Sequence, residues 1–573
     1  MAKSVAEIRA ELTAPGQLFE MEPVEIGGVP IRAWKNAPPT LRAVLDLSAF
    51  HGDKTFIVYE DERISFRDHY RMAATFAHRL VDGYGIRKGD RVAIAMRNYP
   101  EWLIGFWGAA VAGAIVVPLN AWWTGPELEY GIRDAGARVL VVDEERARSL
   151  RPYEDLGLEA VLVARAQHPL HERETAFAEV LGEIDPDVVP PDVALAPEDD
   201  ATIFYTSGTT GFPKGALGTH RNICTNVMSL AFGAFYAAAR KADVEGGGGP
   251  DLAAMASGAS EQAVLLSVPL FHVTGCHAIM LGSISFGGKL VIMHKWDPER
   301  ALELIERERI TTIGGVPAMV WQLLESPSFA ETDLSSVTSI GYGGAPAPPE
   351  LVRRIEELFP GRTPTNGWGM TETSSTAASN NGIDYLAKPE SCGPPLPIND
   401  VRIVDEEGND LPVGQAGELW VRGPNVVKGY WNKPEATAET FLPGGWLRTG
   451  DIARLDEDGF ITITDRAKDM IIRGGENVYS AEVEAALFEH PAVTDAAVFG
   501  IPHDVLGEEV GAVVQLKEGA TVTVEELQRH CRDRLAAFKV PVRIWFWDGE
   551  LPRNPAGKVR KRDLRDELLA ADS

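Results

Sequence analysis

The stretch Thr206 to Ala216, TSGTTGFPKGA, combines three glycines, a run of hydroxyls and one lysine. Gly208, Gly211 and Gly215 let the main chain approach a ligand closely and turn its N–H groups inward. Hydroxyls on Thr202, Thr206, Ser207, Thr209 and Thr210, with the mobile charge of Lys214, suit a triphosphate tail. A P-loop NTPase would place Ser or Thr after the lysine to hold Mg²⁺. Gly215 stands there, so the metal ligand must come from elsewhere. Asn366 to Glu372, NGWGMTE, offers an aromatic plate in Trp368, a hydroxyl in Thr371 and a carboxylate in Glu372. One or two carboxylates plus phosphate oxygens typically hold Mg²⁺. Asp451 in WLRTGD has the chemistry to accept two hydrogen bonds from a ribose diol. Taken singly, each stretch also reads as a surface turn, a buried Trp or a solvated acid.

The elements that must position these residues follow from periodicity. The loop TSGTTGFPKGA follows the strand candidate ATIFY and precedes a helix near Asn222. From about Leu41 to Asp200, near-continuous hydrophobic strands such as DRVAIAM, AIVVPL and ARVLVVD alternate with helical stretches at Phe66–Gly85 and Gly125–Gly136. The rhythm recurs from Gln262 to Gly344, with strand candidates AVLLSVPL, KLVIM, ITTIGGVP and VTSIGYGG. This predicts an α/β protein with parallel sheets covered on both faces. Residues 237–262, which include four consecutive glycines, read as a flexible surface insertion and candidate lid. After Pro389, short alternating strands at 401–404, 418–422 and 460–464 suggest a small antiparallel barrel or roll. From about Met470, the order helix 480–489, strand 493–500, strand 509–516, helix 523–535, strand 542–547 suggests a separate α+β domain. The expected division is an N-terminal part over 1–466, a hinge at 467–469 and a mobile C-terminal domain over 470–573.

Composition narrows the class. The chain has 573 residues, more than one core usually organises. A 45% hydrophobic and 24% charged make-up is that of a globular protein and excludes general disorder. A formal net charge of −28 argues against nucleic acid as a partner, the one dense basic run being KVRKR at 558–562. Cys224, Cys276, Cys392 and Cys531 form no CxxC pair, which argues against zinc and disulfides and for a reducing, cytoplasmic setting. The charged N-terminus lacks a signal-peptide core. Trp102 to Leu119 carries no charge. Its glycines and Pro118 nevertheless favour a buried helix ending near Ala112, then a buried strand, over a membrane span.

Six stretches in order, TSGTTGFPKGA, GYGGAP, NGWGMTE, WLRTGD, DRAKDMIIRGGENVYSAEVE and PRNPAGK, resemble the motifs of the adenylate-forming superfamily. That superfamily comprises acyl-CoA synthetases, nonribosomal peptide adenylation domains and luciferases, and the resemblance runs from about Leu41 to Lys561. It implies a two-step reaction. A carboxylate attacks the α-phosphate of ATP to give an acyl-adenylate and pyrophosphate, and a thiol, usually that of coenzyme A, then displaces AMP. The resemblance implies ATP contacts at Thr206, Ser207, Gly208, Thr209, Thr210, Gly211 and Lys214. Gly343, Gly344 and Ala345 would line the adenine, with Asn366, Gly367, Trp368 and Gly369 beside it. Many relatives carry Tyr where Trp368 stands, so stacking carries over and a phenol role does not. Thr371 would meet the α-phosphate, Glu372 and Thr206 would hold Mg²⁺, and Asp451 and Arg466 would hold the ribose. For Arg466 a salt bridge to Asp469 or Glu484 stays open. Lys558 would bridge the attacking carboxylate and the phosphate. Lys468 would be the hinge whose turning withdraws Lys558 and brings Gly474, Gly475 and Glu476 to the thiol.

The same resemblance places the acyl pocket at His272, Val273 and Cys276 of PLFHVTGCH, with Gly341, Gly369, Met370 and Trp321; a core role for Trp321 stays open. Cys276 stands where some long-chain enzymes carry a gating Trp. The expected activity is that of an ATP-, Mg²⁺- and coenzyme A-dependent acyl-CoA synthetase for a hydrophobic acid, a medium- or long-chain fatty acid being the favoured class. An aryl, terpenoid or steroid side-chain acid, or loading of a carrier protein, is the alternative, and an inactive nucleotide-binding regulator a more distant one. A peripheral membrane contact and a homodimer stay open.

Overall fold

The computed structural model describes residues 3–206, 213–246, 262–344, 347, 349–474, 476–503, 505–554 and 557–571. Two large sheets are wrapped by helices, as the alternating pattern predicts. In the first, strands Asp200–Thr206, Ile115–Pro118, Arg91–Ala95, Val139–Asp143, Ala160–Ala164 and Glu174–Ala176 lie side by side and parallel, and Lys214–Thr219 closes one edge antiparallel. In the second, Ala263–Leu266, Lys289–Ile292, Thr312–Gly315, Ser339–Gly343 and Thr363–Met370 run parallel. The early hairpin Thr55–Tyr59/Glu62–Ser65 joins this second sheet, beside Lys289–Ile292, and not the first.

One hydrophobic cluster joins the sheets. It unites Val92, Ile94 and Val141 of the first with Phe56, Leu266 and Leu290 of the second through Trp102, Leu103 and Phe106. These three sit on helix Pro100–Val111, in which every residue but Glu101 is buried. A helix apolar all round belongs inside such a core. That accounts for the charge-free stretch from Trp102 to Leu119: helix, then Gly113 at φ +81°, then strand Ile115–Pro118. Among the described residues no helix is long and apolar enough to cross a membrane.

The expected surface insertion is corrected over 237–245. Helix His220–Glu245 continues through it, opened by a reciprocal Thr219–Asn222 capping box and ended by Gly246 at φ +73°. The alanines at 237–239 favour helix. Tyr236 and Arg240 anchor it by donating to Asp384 at 2.6 and 3.0 Å. The glycines at 247–249 and the chain on to 261 lie outside the described residues.

Downstream, Asp400–Val404, Gly417–Arg422, Phe441–Leu442, Trp446–Leu455 and Ile461–Arg466 pair as one antiparallel sheet. The last sheet joins Ile471–Arg473, Glu476–Val478, Val493–His503, Gly507–Leu516 and Arg543–Phe546, accompanied by helices Ser480–Phe488 and Val524–Arg532. Helix Val524–Arg532 opens with a reciprocal capping box of Thr523 and Glu526. This sheet has its own core, including Ile471, Val483, Val498, Val510, Val514 and Leu527.

Close main-chain approach shapes the end of strand Thr363–Met370, which carries NGWGMTE. A Cβ on Gly369 would stand 1.6 Å from the Ser375 carbonyl oxygen of the paired strand. Backbone cannot swing aside as a side chain does. Gly369→Ala is therefore expected to destabilise by about 1–3 kcal/mol, the scale of core overpacking, or more. The lowered urea midpoint, measured against the parent chain, checks this.

Candidate functional site

Three of the predicted motifs begin at or near the ends of strands Asp200–Thr206, Ser339–Gly343 and Thr363–Met370, while WLRTGD lies within strand Trp446–Leu455 and PRNPAGK on a hairpin before helix Lys561–Ala571. Thr206 and Lys214 face each other in register where strand Asp200–Thr206 stops and Lys214–Thr219 begins. Ser207, Gly208, Thr209, Thr210 and Gly211 between them lie outside the described residues, as do Ala345 and Gly475. Gly215 is needed where it stands, because a Cβ there would meet Ile203 Cγ2 at 2.5 Å. Gly343 likewise passes Gly367, its missing Cβ falling 2.5 Å from that carbonyl oxygen, and Gly344 turns at φ +76°.

After Met370 the chain makes a single 3₁₀ turn, Thr371–Thr373, then two non-glycine residues at positive φ, Ser374 at 51° and Ser375 at 110°. Such a conformation needs external support. The Ser374 carbonyl accepts from Asn226 Nδ2 at 2.7 Å, the Thr373 carbonyl from Asn425 Nδ2 at 3.2 Å, and the Glu372 carbonyl from the Val427 N–H at 2.9 Å. Met370 and Thr371 thus open a turn whose frame is built from segments distant in sequence.

Glu372, carried on this turn, is buried. Burial raises its pKa, while a hydrogen bond from Tyr430 and the charges of Arg466 and Lys214 pull it back. The Tyr430 hydroxyl donates to Glu372 Oε1 at 2.6 Å, and Lys214 Nζ lies over the Tyr430 ring, 5.0 Å from its centre. The motifs of the sequence do not single out Tyr430. Its one signal there is a place in the turn-rich run KGYWNKP, between Gly429 and Pro434.

Asp451 and Arg466 pair across neighbouring antiparallel strands, with Nε 3.5 Å from Oδ1. The Trp368 indole N–H donates to the other Asp451 oxygen at 2.9 Å. Trp368 is packed into the core of the antiparallel sheet with Ile403, Leu419 and Ile461. The alternative salt bridges for Arg466 do not form. Glu484 is taken by Lys561 at 2.6 Å, and Asp469 meets Arg466 through its own N–H, on the Arg466 carbonyl at 2.9 Å. Asn366 reaches the hydroxyl of Tyr385, which bonds that of Tyr342 at 2.9 Å.

Lys558 comes to the same place from near the chain's other end. Loss of water and the charges of Arg466 and Lys468 lower its pKa, to about 8, against the opposing pull of Asp451 and Glu372. His272 lies close enough to feel Lys558. Burial first, and that charge second, bring its pKa down to about 4, so it is neutral at pH 7, with Nε2 buried and without a hydrogen bond. Val273 and Cys276 are part of the core cluster between the sheets. Trp321 packs half-buried beside Ile313 and Val320. Gly341 sits on strand Ser339–Gly343, with Thr365 Oγ1 2.8 Å from its missing Cβ. Gly474, at φ +59°, is tied by its N–H to the Leu506 carbonyl at 2.8 Å, and Glu476 is exposed. The structure does not bring these two into the group around Lys558 by any hydrogen bond or ion pair among the described residues.

The site therefore gathers Lys214, Arg466, Lys468 and Lys558 around two carboxylates, Glu372 and Asp451. Among the described residues no group of three or more His, Cys, Asp or Glu could hold a metal by itself. A lone buried carboxylate, Glu372, fits a Mg²⁺ that arrives on phosphate oxygens.

The family model described as AMP-binding enzyme matches residues 46–431, and that described as AMP-binding enzyme C-terminal domain matches 482–558. A long-chain-fatty-acid–CoA ligase of Bacillus subtilis is 36% identical, covering 92% of this chain and 94% of its own. A feruloyl-CoA synthase of Amycolatopsis is 37% identical, over 85% of this chain and 91% of its own. The crystal structure of an anthranilate CoA ligase in complex with anthranoyl-AMP superposes with a TM-score of 0.82 at 26% identity, covering 93% of this chain and 98% of that one. The chain belongs to the AMP-binding enzyme family, the adenylate-forming superfamily. It is an AMP-forming acid–thiol ligase, which makes an acyl-CoA by way of an acyl-adenylate.

Removing the Tyr430 hydroxyl while keeping its ring isolates one link in this cluster. Tyr430→Phe is expected to lower kcat/KM for ATP about tenfold to a hundredfold, the scale of a hydrogen bond to a charged group. Steady-state kinetics at saturating acid and coenzyme A read this, and unchanged kinetics would mean that the bond to Glu372 is not used.

Proposed function

We propose that the strand ends around Lys558 form one pocket in which an acyl-adenylate is made and then consumed, with a hydrophobic carboxylic acid as the substrate. In the first half-reaction a carboxylate oxygen bonds to the α-phosphorus of ATP, and the bridging P–O bond breaks to release pyrophosphate. Both reactants are anions, so cations that meet charge developing on the α-phosphoryl oxygens and the leaving group lower the barrier. Lys214 and the glycine- and hydroxyl-rich residues before it hold the β- and γ-phosphates. Lys558 bridges the incoming carboxylate and the α-phosphate. Thr371 meets the α-phosphate, and Asp451 and Arg466 hold the ribose, with Trp368 and Gly343–Gly344 around the base. Glu372, with Thr206, would hold Mg²⁺, which when bound would neutralise phosphate charge. Neutral His272 borders the carboxylate end of the acyl pocket. The observation that carries this reading is that Lys558, on its C-terminal hairpin, feels the charges of both Asp451 and Glu372, which come from two other parts of the fold.

In the second half-reaction the thiol sulfur of coenzyme A bonds to the acyl carbon and AMP leaves. Residues 470–573 turn about Lys468, withdrawing Lys558 and presenting Gly474–Glu476 to the thiol. The turn between Arg466 and Ile471, closed by the Asp469 and Met470 N–H groups on the Arg466 carbonyl at 2.9 and 3.0 Å, is short enough to concentrate the backbone change. For the acid, a medium- or long-chain fatty acid is favoured by the B. subtilis relative's name, and an aryl acid by that of the Amycolatopsis relative. Pyrophosphate release over a panel of both kinds names the acid.

Lys558→Ala is expected to cut pyrophosphate release to a small residual rate while sparing thioester formation from supplied acyl-adenylate and coenzyme A. Equal loss of both half-reactions would contradict the assigned role. The proton on Lys558 is lost as pH rises through about 8. Adenylation kcat/KM, which reports the free enzyme, is accordingly expected to decline above that pH. In Lys558→Arg, whose charge persists, any residual adenylation should show no such decline.

A further inference from the structure

Lysine is a flexible point charge, so something must decide where Lys558 stands. It sits on a short hairpin, in which Arg553 bridges Val559, the Asn554 N–H donates to the Lys558 carbonyl at 2.8 Å, and the Lys558 N–H donates to Asn554 Oδ1 at 3.0 Å. These bonds set the hairpin's shape but not its attitude to the rest of the protein. Packing of Leu551 and Val559 on Ala497, Phe499 and Val513 contributes to that, and two further features bear on Lys558 itself. Gly557, at φ +77°, runs so close to Val316 that a Cβ would fall 2.6 Å from Val316 Cγ2. The Arg553 guanidinium, for its part, donates through Nη1 to the Gly557 carbonyl at 2.7 Å and through Nη2 to Asp495. Asp495 is 9% exposed and lies on strand Val493–His503, at a bulge against Gly507–Leu516.

We propose that Arg553, held by Asp495, is a positioning residue for adenylation: it ties the peptide immediately before Lys558 to the sheet beneath and so aims that lysine. The inference rests on the reading of Lys558 as the adenylation lysine. The chemistry favours arginine here, because a planar fork can hold a carbonyl and a carboxylate at once, which an ammonium cannot do with fixed geometry. Burial raises the pKa of Asp495, and Arg553 opposes part of that rise through its charge and its hydrogen bond. Neither residue reaches the Glu372–Asp451 group directly, so both act through Lys558.

The test compares Arg553→Lys and Asp495→Asn with Lys558→Ala and the double variant Arg553→Lys/Lys558→Ala. Pyrophosphate release from ATP and acid is measured for the first half-reaction, and thioester formation from supplied acyl-adenylate and coenzyme A for the second. Misplacement by about 1 Å can cost about a hundredfold. Each single variant of the pair is therefore expected to lose about tenfold to a hundredfold in adenylation kcat, with KM for ATP within about twofold and the second half-reaction unchanged. In the Lys558→Ala background, Arg553→Lys should cost nothing further. Unchanged adenylation, proportionate loss of both half-reactions, or additive loss in the double variant would overturn the proposal. So would failure of both substitutions to give folded protein by circular dichroism, since the pair would then be structural. Full adenylation by Lys558→Ala would instead sink the underlying reading of Lys558, and this inference with it.

Discussion

The structure depends on holding like charges together at the edge of water. Lys558, Arg466 and Lys468 repel one another, and the loss of solvent adds to that cost. What offsets it is the placement of Asp451 and Glu372 among them. Each carboxylate is in turn fixed by a neutral donor, the Trp368 indole N–H on one and the Tyr430 hydroxyl on the other. A site so arranged has unspent positive potential, which suits a polyanion better than any neutral ligand. The rest of the fold can be understood as the frame that keeps these side chains from relaxing apart.

That frame is mostly main chain. Glycines at 343 and 369 let neighbouring strands come closer than any side chain allows, and Gly215 leaves room for the Ile203 side chain. The turn bearing Glu372 is held in an unfavourable conformation by Asn226 and Asn425, on a helix and a loop remote in sequence. Buried amides of this kind are costly unless bonded, and once bonded they specify one arrangement. The C-terminal hairpin uses an ion pair where the Glu372 turn uses amides. Arg553 and Asp495 both belong to the C-terminal sheet and its hairpin, so in the proposed turning motion the strut would travel with them.

Buried histidines and cysteines show the other side of the same physics. Cys224 and Cys276 sit in the apolar core, where burial pushes their thiols up and leaves them unreactive. His69 and His277 are held neutral by burial, at about 3 and about 4. Titratable residue types are thus scattered through the core, and the functional group is marked by mutual proximity of opposite charges, not by residue type.

Much of this is legible in the order of residues. Strand periodicity predicts the parallel sheets, and TSGTTGFPKGA, NGWGMTE, WLRTGD and PRNPAGK single out Lys214, Glu372, Asp451 and Lys558, because glycine spacing and strand ends leave a local signature. Local pattern misjudges the tail of helix His220–Glu245, whose alanines carry no apolar period but gain from the Asp384 anchor. It also assigns Thr55–Tyr59 no sheet, since pairing beside Lys289–Ile292 is a contact across more than two hundred residues. Tyr430, Asn226, Asn425, Asp495 and Arg553 escape for the same reason: the partner or the group each serves is identified only in space. Sequence alone determined which chemistry-bearing motifs were present and that several of them would follow buried strands. Only tertiary structure decided that the lysine near the C-terminus stands close enough to feel the charges of Asp451 and Glu372, because Coulomb energy depends on distance in space and local periodicity carries no record of that distance.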